Sequence, residues 1–197
     1  MNNIYEELIT SYIANTIGIA QNFIAPQLAQ HLKGNILRLD AADKLHKAGV
    51  GSTAKLAHKP AIRKDKIFWL DQKNNDEHEV AFLALIEDFI THLNMSCYTG
   101  ITDYEFHYAI YEPGSFYKKH KDQFRDDAQR QFSMISYLNE DWQENDGGEL
   151  VIYKSSGQEK TSPTQGKTVF FKSNELEHEV LETNKTRLSI TGWLKKG

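Results

Sequence analysis

Three residues in the second half of the chain form a ligand set for a metal ion: His120, Asp122 and His178. Two histidines and one carboxylate are the set that holds non-haem Fe(II) on one face and leaves its other coordination positions open. Arg187 follows the second histidine by nine residues. A guanidinium binds a carboxylate through two parallel hydrogen bonds, so the pattern predicts an iron site beside a pocket for a small dicarboxylic acid.

The spacing of the first two ligands predicts how they are positioned. Residues two apart at a strand end point to the same face, so one short segment can supply both His120 and Asp122. The third ligand must come from a distant segment, and His178 opens a later β-type run. The chain has eight histidines. The other six are predicted to lie on the surface or in satisfied core positions: His31, His46, His58, His78, His92 and His107.

Arg187 begins a run in which side chains alternate between two faces. Arg187, Ser189, Thr191 and Trp193 share one face. The other face carries Leu188, Ile190 and Leu194, which can pack under helices. An arginine on an enclosed face is costly unless it is paired, so a bound carboxylate is one predicted partner and a glutamate at the strand end is the alternative.

The C-terminal half consists of short β-type runs separated by turn residues. The predicted strands are Tyr104–Tyr111, Gln131–Leu138, Glu149–Tyr153, Lys167–Lys172, His178–Leu181 and Arg187–Leu194. Many short strands at this spacing suggest a sandwich or barrel, and a jelly roll is one such fold. The predicted class is therefore α+β, mainly β.

The N-terminal half predicts helices that support this core. Apolar residues recur at helical spacing over residues 4–12 and again over residues 24–32, with Gly34 as the predicted end of the second helix. The clearest helix runs from about Asp76 to Leu93, with acidic residues in its first turn. Between these helices we expect a loop over Ala48–Lys59 and a short strand over Ile67–Leu70.

Composition limits the remaining possibilities. The length of 197 residues predicts a single domain, and a net charge of −4 gives no broad basic field for nucleic acid. The single cysteine, Cys97, excludes an internal disulfide and a cysteine-rich zinc site. The N-terminus lacks a signal-peptide pattern, and no apolar run approaches the roughly 18 residues of a membrane span. We therefore expect a cytoplasmic protein that does not bind a membrane.

The motifs from Tyr104 to Trp193 resemble the catalytic domain of prolyl 4-hydroxylase-type 2-oxoglutarate/Fe(II) dioxygenases. They are most similar to the branch of the hypoxia-inducible-factor prolyl hydroxylases and their bacterial relatives. The matching pieces, in order, are Tyr111–Gly114, His120–Asp122, Tyr137–Asn139, Gly147–Leu150, His178–Val180 and Thr191–Trp193. The resemblance implies a cupin-like double-stranded β-helix over residues 104–194, with residues 1–95 supplying helical support and the first strands.

The resemblance also implies residue roles. His120, Asp122 and His178 would hold Fe(II), Arg187 would bind the C5 carboxylate of 2-oxoglutarate, and Tyr137 and Tyr111 would lie at the cosubstrate. Arg130 and Trp193 would contact the substrate, although a solvated salt bridge is an equal alternative for Arg130. The implied small molecules are Fe(II), 2-oxoglutarate, O2 and L-ascorbate, the last of which re-reduces the iron.

The implied activity is the 4-hydroxylation of a prolyl residue in a protein or peptide, with release of succinate and CO2. One alternative is the hydroxylation of a free amino acid or another small molecule. A second is a non-catalytic, metal-binding sensor or interaction module on a cupin-like fold. The intact ligand set with Arg187 disfavours that module, because a protein without turnover needs no anchor for a cosubstrate.

Overall fold

The computed structural model describes residues 2–49, 59–74, 76–123 and 128–197, and it has the mainly β architecture that the sequence predicts. Most of the predicted loop Ala48–Lys59, including His58, lies outside these residues, as does Asn75. The described helices are α1 (Asn2–Asn15), α2 (Pro26–Ala41) and α3 (Glu77–Cys97). The described strands are β1 (Ile17–Gln21), β2 (His46–Lys47), β3 (Lys66–Trp69), β4 (Asp103–Tyr111), β5 (Tyr117–His120), β6 (Arg130–Tyr137), β7 (Leu150–Lys154), β8 (Gly157–Thr161), β9 (Lys167–Lys172), β10 (Glu177–Val180) and β11 (Arg187–Lys195).

Two antiparallel sheets form a jelly-roll core. The larger sheet has the strand order β1-β9-β6-β11-β4-β3-β2, and the smaller has the order β5-β10-β7-β8. Apolar side chains from both sheets, among them Ile135 on β6 and Ile152 on β7, pack into one inner core between them. The first ligand strand, β5, and the third ligand strand, β10, are neighbours in the smaller sheet.

A second core lies between the larger sheet and the helices. Leu188, Ile190 and Leu194 of β11 are buried there with apolar residues of α2 and α3. The alternation predicted for this strand is therefore confirmed, because its opposite face carries Arg187 and Trp193 into a cavity between the sheets.

Two helices differ in length from the prediction. The expectation that α2 ends at Gly34 is wrong, because the helix continues to Ala41. Leu32 and Ile36 are both fully buried on either side of the glycine. Their burial outweighs the cost of about 1 kcal/mol for a glycine inside a helix. Helix α3 begins where predicted, since the Asp76 carboxylate accepts hydrogen bonds from two backbone N–H groups of its first turn, but it ends at Cys97.

Helix α3 also corrects the expectation about apolar segments. It has 21 residues, and its most apolar 18-residue window has a mean hydropathy of 1.3, which fits a membrane-spanning helix by length and composition. Five of its apolar side chains are buried in the second core, between the larger sheet and the helices: Phe82, Leu83, Ile86, Phe89 and Leu93. Packing against the sheet therefore accounts for these five side chains, and 28% of the window is buried.

Four of the described strands were not predicted from the sequence: β1, β2, β5 and β8. Strand β8 has the sequence Gly-Gln-Glu-Lys-Thr and pairs only with β7 at the sheet edge, so it lacks the apolar alternation that marks a strand. Strand β1 pairs with β9 over five residues. Strands β1 and β5 are held by partners that are distant in the sequence, whereas β8 forms a hairpin with the strand immediately before it.

Candidate active site

The structure brings His120, Asp122 and His178 together at one end of the smaller sheet. His120 is the last residue of β5 and lies opposite His178 of β10 in the antiparallel pair. Nε2 of His120 is 3.4 Å from Oδ1 of Asp122, and Nε2 of His178 is 3.5 Å from Oδ2. One potential ligand atom from each residue lies within 4.8 Å of the others, and no other group of this kind occurs among the described residues. These separations suit three ligands of one ion.

The other ring nitrogens of the two histidines face backbone carbonyls. Nδ1 of His120 is 2.7 Å from the Lys118 carbonyl oxygen, and Nδ1 of His178 is 3.5 Å from that of Leu176. A carbonyl accepts only from a protonated nitrogen, so the contact to His120 fixes the tautomer and leaves Nε2 with its lone pair toward Asp122. The short distance at His120 makes this the firmer of the two contacts.

The carboxylate is held from behind by two buried serines. The Ser133 hydroxyl donates to Oδ2 of Asp122 at 2.7 Å. Ser173 lies 2.9 Å from Ser133, oxygen to oxygen, and both serines are inaccessible to solvent. Such partners of a ligand fix its orientation.

The protonation states of the ligands suit a cation. Burial alone would raise the pKa of Asp122, but the two neighbouring histidines and the Ser133 hydrogen bond hold it well below its usual range. Burial lowers the pKa of His178 to about 4. At neutral pH the site therefore offers a carboxylate and a neutral imidazole, the forms that bind metal.

Arg187 lines the cavity between the two sheets and is only 1% exposed. We call this buried end of the cavity its deep end. Its Nε donates to the Gly148 carbonyl oxygen at 2.9 Å, and its guanidinium carbon lies 4.9 Å and 5.1 Å from the ring centres of Tyr111 and Tyr137. Nη2 of Arg187 and the hydroxyl of Tyr137 are both buried without a hydrogen-bond partner. The predicted glutamate alternative is absent among the described residues, since the side-chain hydrogen bonds of Arg187 go to Gly148 and Ser189 and its Nη2 has no partner.

These two unpaired donors fit a carboxylate ligand. An unmet hydrogen bond of a buried charged group is costly, and a carboxylate accepts readily from a guanidinium and a phenol. Gly148 contributes to the fit because its φ is +68° and an added Cβ would lie 3.1 Å from Cδ of Arg187. Gly148 thus leaves room for the arginine.

The cavity encloses about 690 Å³ between the deep end and an open mouth. Trp193 and Arg130 lie toward the mouth, where the guanidinium carbon of Arg130 is 3.4 Å from the centre of the Trp193 ring. Two nitrogens of Arg130 contact Oε1 of Glu105 at 2.7 Å and 2.8 Å. The salt-bridge alternative for Arg130 is therefore present, and the residue also lines the cavity.

His107 corrects one sequence-based expectation. It was predicted to be a surface or satisfied core residue, yet it is 3% exposed, lines the cavity, and its Nδ1 has no hydrogen-bond partner. Burial and the charges of Arg63 and Arg130 lower its pKa to about 3. The signal that could have found it is alternation, because His107 and Tyr111 are four residues apart on one predicted strand.

A stack of side chains beside His120 was also missed. The guanidinium carbon of Arg63 lies 4.2 Å from the ring centre of Tyr117. Tyr117 in turn stacks on the His120 imidazole with ring centres 3.5 Å apart and planes at 15°. Asp65 is buried and forms an ion pair with Arg63. Arg63 lies outside the motifs from Tyr111 onward, and its contact with Tyr117 joins distant parts of the chain.

Residues 106–195 match the family model of the 2OG-Fe(II) oxygenase superfamily. A prolyl-4-hydroxylase from Pseudomonas putida is 33% identical, with a TM-score of 0.87 over 98% of this chain and 99% of that one. A prolyl hydroxylase from Trichoplax adhaerens, solved with a peptide of the hypoxia-inducible-factor oxygen degradation domain, is 23% identical, with a TM-score of 0.86 over 98% and 90% of the two chains. A viral collagen prolyl hydroxylase from Paramecium Bursaria Chlorella virus-1, solved with 2-oxoglutarate, is 19% identical, with a TM-score of 0.64 over 94% and 98%.

Proposed function

The chain belongs to the 2OG-Fe(II) oxygenase superfamily and is a 2-oxoglutarate-dependent dioxygenase, and on that premise we propose that it hydroxylates C4 of a prolyl residue in a protein. The observation that carries the substrate class is the 33% identity to the Pseudomonas putida prolyl-4-hydroxylase over nearly the full length of both chains. The peptide bound to the Trichoplax adhaerens enzyme supports a peptide rather than a free amino acid.

In this proposal His120, Asp122 and His178 hold Fe(II), which the family uses together with 2-oxoglutarate and O2. Activation of dioxygen and oxidative decarboxylation of 2-oxoglutarate to succinate and CO2 are the chemistry that the bound iron supplies. The carboxylate and neutral imidazoles match the ligand preference of Fe(II), and the absence of thiolate ligands among them disfavours a structural zinc site.

Arg187 and Tyr137 would hold the far carboxylate of 2-oxoglutarate through their two unpaired donors. The ring of Tyr111 would keep the guanidinium oriented by packing against it. Ile135, Leu150 and Val180 give the cavity apolar walls. Away from solvent, beside such walls, a charge-assisted contact is stronger than in water.

Ascorbate would serve as a supporting reductant, and the cytoplasm would be the site of action. Both are expectations from the family resemblance and from the composition of the chain. Adding ascorbate to purified enzyme should extend the time over which turnover stays linear, with little effect on the initial rate. A change in initial rate alone would argue against that role.

The substrate can be identified by mass spectrometry on host proteins with and without this gene. A peptide that gains one oxygen on proline only when the gene is present would identify the target. Purified enzyme with Fe(II) and 2-oxoglutarate should then convert the same peptide and release succinate in equal amounts. A peptide with alanine in place of the proline is the matched control and should release none.

Hydroxylation of a free amino acid or small molecule is the result that would replace this proposal. In that case no host peptide would differ between the two strains, and succinate release would depend on a small-molecule fraction of the cell extract. The iron and 2-oxoglutarate requirements would be the same in either case, so the assay separates the substrate classes alone.

A further inference from the structure

The cavity wall opposite the metal-ligand strands carries an aromatic cluster from the larger sheet. His107 lies between two tryptophans: its ring centre is 4.9 Å from that of Trp69 and 5.4 Å from that of Trp193. All three residues line the cavity. Nδ1 of His107 and Nε1 of Trp193 are buried and have no hydrogen-bond partner, although the residues are only 3% and 7% exposed.

Strand register places this cluster beyond the cosubstrate. On β4, Tyr111 pairs with Arg187 and His107 pairs with Thr191. Tyr111 and His107 are four residues apart, so about 13 Å of strand separates the two levels. A five-carbon diacid is shorter than that span. A cosubstrate anchored at Arg187 therefore does not reach His107. The space beside His107 stays available to the substrate that is oxidised.

The same strand register places the aromatic cluster and the metal ligands at the same position along the strands. Trp193 pairs with Ser133 of β6, and Ser133 is the residue whose hydroxyl holds Asp122. The two unpaired nitrogens thus lie where a substrate must place the carbon that reacts. No described residue of the protein satisfies them, so both nitrogens are available to a group that enters the cavity.

The chemistry of these nitrogens specifies the ligand group. An indole N–H only donates, so Trp193 requires an acceptor. The imidazole of His107 is neutral at physiological pH, because burial lowers its pKa to about 3. A neutral imidazole donates through one nitrogen and accepts through the other, and the tautomer with its proton on Nδ1 is the one that can donate into the cavity. A prolyl residue has no N–H, so the peptide bond before its ring offers only a carbonyl oxygen, and the bond after it offers the carbonyl oxygen of the proline as an acceptor.

We propose that His107 and Trp193 form a carbonyl-binding subsite that donates hydrogen bonds to the peptide bonds flanking the target proline. The Trp69 ring packs against the pyrrolidine ring, which is apolar and matches an aromatic surface, while Arg130 covers one face of Trp193. This inference rests on the proposed prolyl substrate. It makes His107 a specificity-determining residue, which selects how the peptide lies across the reactive centre.

The three tryptophans of the chain allow a direct test by NMR of their indole N–H groups. The probe is N-acetyl-glycyl-prolyl-glycinamide, titrated into full-length protein loaded with Zn(II) and 2-oxoglutarate so that no turnover occurs. The Trp193 indole proton should move downfield and saturate. The Trp142 signal should not move, because its Nε1 already donates to the Gly147 carbonyl oxygen. A probe with a thioamide in place of the flanking carbonyls should bind more weakly, since sulfur is a poorer acceptor.

Two variants measure the contribution of His107. His107→Phe keeps an aromatic ring without nitrogens and should weaken probe binding about fivefold, the usual effect of losing one neutral hydrogen bond. His107→Gln keeps a donor and should bind within about twofold of wild type. The affinity for 2-oxoglutarate and the melting temperature should stay unchanged in both, which separates a lost contact from a lost fold.

The outcomes distinguish the subsite from the proposed function. A Trp193 signal that does not respond to the probe, or a His107→Phe variant that binds like wild type, would overturn the subsite. If the iron-loaded enzyme still hydroxylated the probe in that case, the proposed function would stand alone. If instead Trp193 responded and His107→Phe bound weakly, but no hydroxyproline formed with iron, the subsite would stand and the proposed reaction would fail.

Discussion

The two ends of the active-site cavity leave different groups unpaired. At the deep end the positive charge of Arg187 has no carboxylate partner among the described residues, and the Tyr137 hydroxyl beside it is also unpaired. Toward the mouth, Arg130 is neutralised by Glu105, and the unpaired groups are the uncharged nitrogens of His107 and Trp193. The deep end therefore suits the negatively charged carboxylate of the cosubstrate. The mouth suits a substrate that makes neutral hydrogen bonds and aromatic contacts.

The largest expected effect comes from removing the metal site that joins the two ends. His178→Ala should abolish iron retention and lower turnover at least about 100-fold, because changing even the partners of metal ligands costs ten- to a hundredfold. Metal content by mass spectrometry and succinate release measure the two effects. His92→Ala is the matched control, since His92 pairs with Glu6 away from the cavity and should retain both properties.

The charged deep end predicts a loss specific to the cosubstrate. Arg187→Ala should raise the dissociation constant for 2-oxoglutarate roughly 30- to 1000-fold, which corresponds to about 2–4 kcal/mol for a buried charge-assisted contact. Iron content should not change. Isothermal titration with 2-oxoglutarate measures the effect.

Arg130→Ala is the reciprocal variant for the mouth of the cavity. It should leave the 2-oxoglutarate affinity within about threefold of wild type and alter the Michaelis constant for peptide instead. Equal effects of the two arginine variants on 2-oxoglutarate binding would remove the distinction between the ends.

The buried serines behind Asp122 predict an intermediate effect. Ser133→Ala should weaken metal binding about ten- to a hundredfold, because the carboxylate loses the hydroxyl that orients it. Ser136→Ala on the same strand removes a buried hydroxyl that contacts Thr168 instead, so it should cost similar stability with unchanged metal affinity. Competition with a metal chelator measures both variants. Equal metal affinities would contradict the role given to Ser133.

The smallest expected effect comes from removing the Tyr137 hydroxyl at the deep end. Tyr137→Phe should raise the dissociation constant for 2-oxoglutarate about 2- to 12-fold, the range for one lost hydrogen bond. Tyr108→Phe removes another buried hydroxyl, but on the helical side of the sheet, and should not change that constant. A loss as large as that of Arg187→Ala would mean that Tyr137 also holds the arginine in place.

The metal ligands and Arg187 could be predicted from sequence because short-range patterns mark them. His120 and Asp122 lie in one short segment, and strand alternation places Arg187 on the face opposite Leu188 and Ile190. The course of α2 through Gly34 could not be predicted, because it depends on burial of Ile36 against distant residues. Strand β8 is polar and becomes a strand only by pairing with β7.

The mouth was harder to predict, because the resemblance indicated only Arg130 and Trp193 there and His107 lies in none of the matching motifs. His107 is one of eight histidines, and only the pairing of β4 with β3 and β11 brings it between Trp69 and Trp193. The stack of Arg63 on Tyr117 joins residues more than 50 positions apart. Sequence therefore indicates the reaction better than the substrate, since the groups that choose the substrate are assembled by long-range contacts.

A crystal structure with Mn(II) and 2-oxoglutarate would test the central claim most directly, because Mn(II) accepts similar ligands to Fe(II). We expect one metal ion bound by His120, Asp122 and His178. The far carboxylate of 2-oxoglutarate should accept hydrogen bonds from Nη2 of Arg187 and from the Tyr137 hydroxyl. Density for 2-oxoglutarate elsewhere in the cavity, with Nη2 of Arg187 still unpaired, would contradict it.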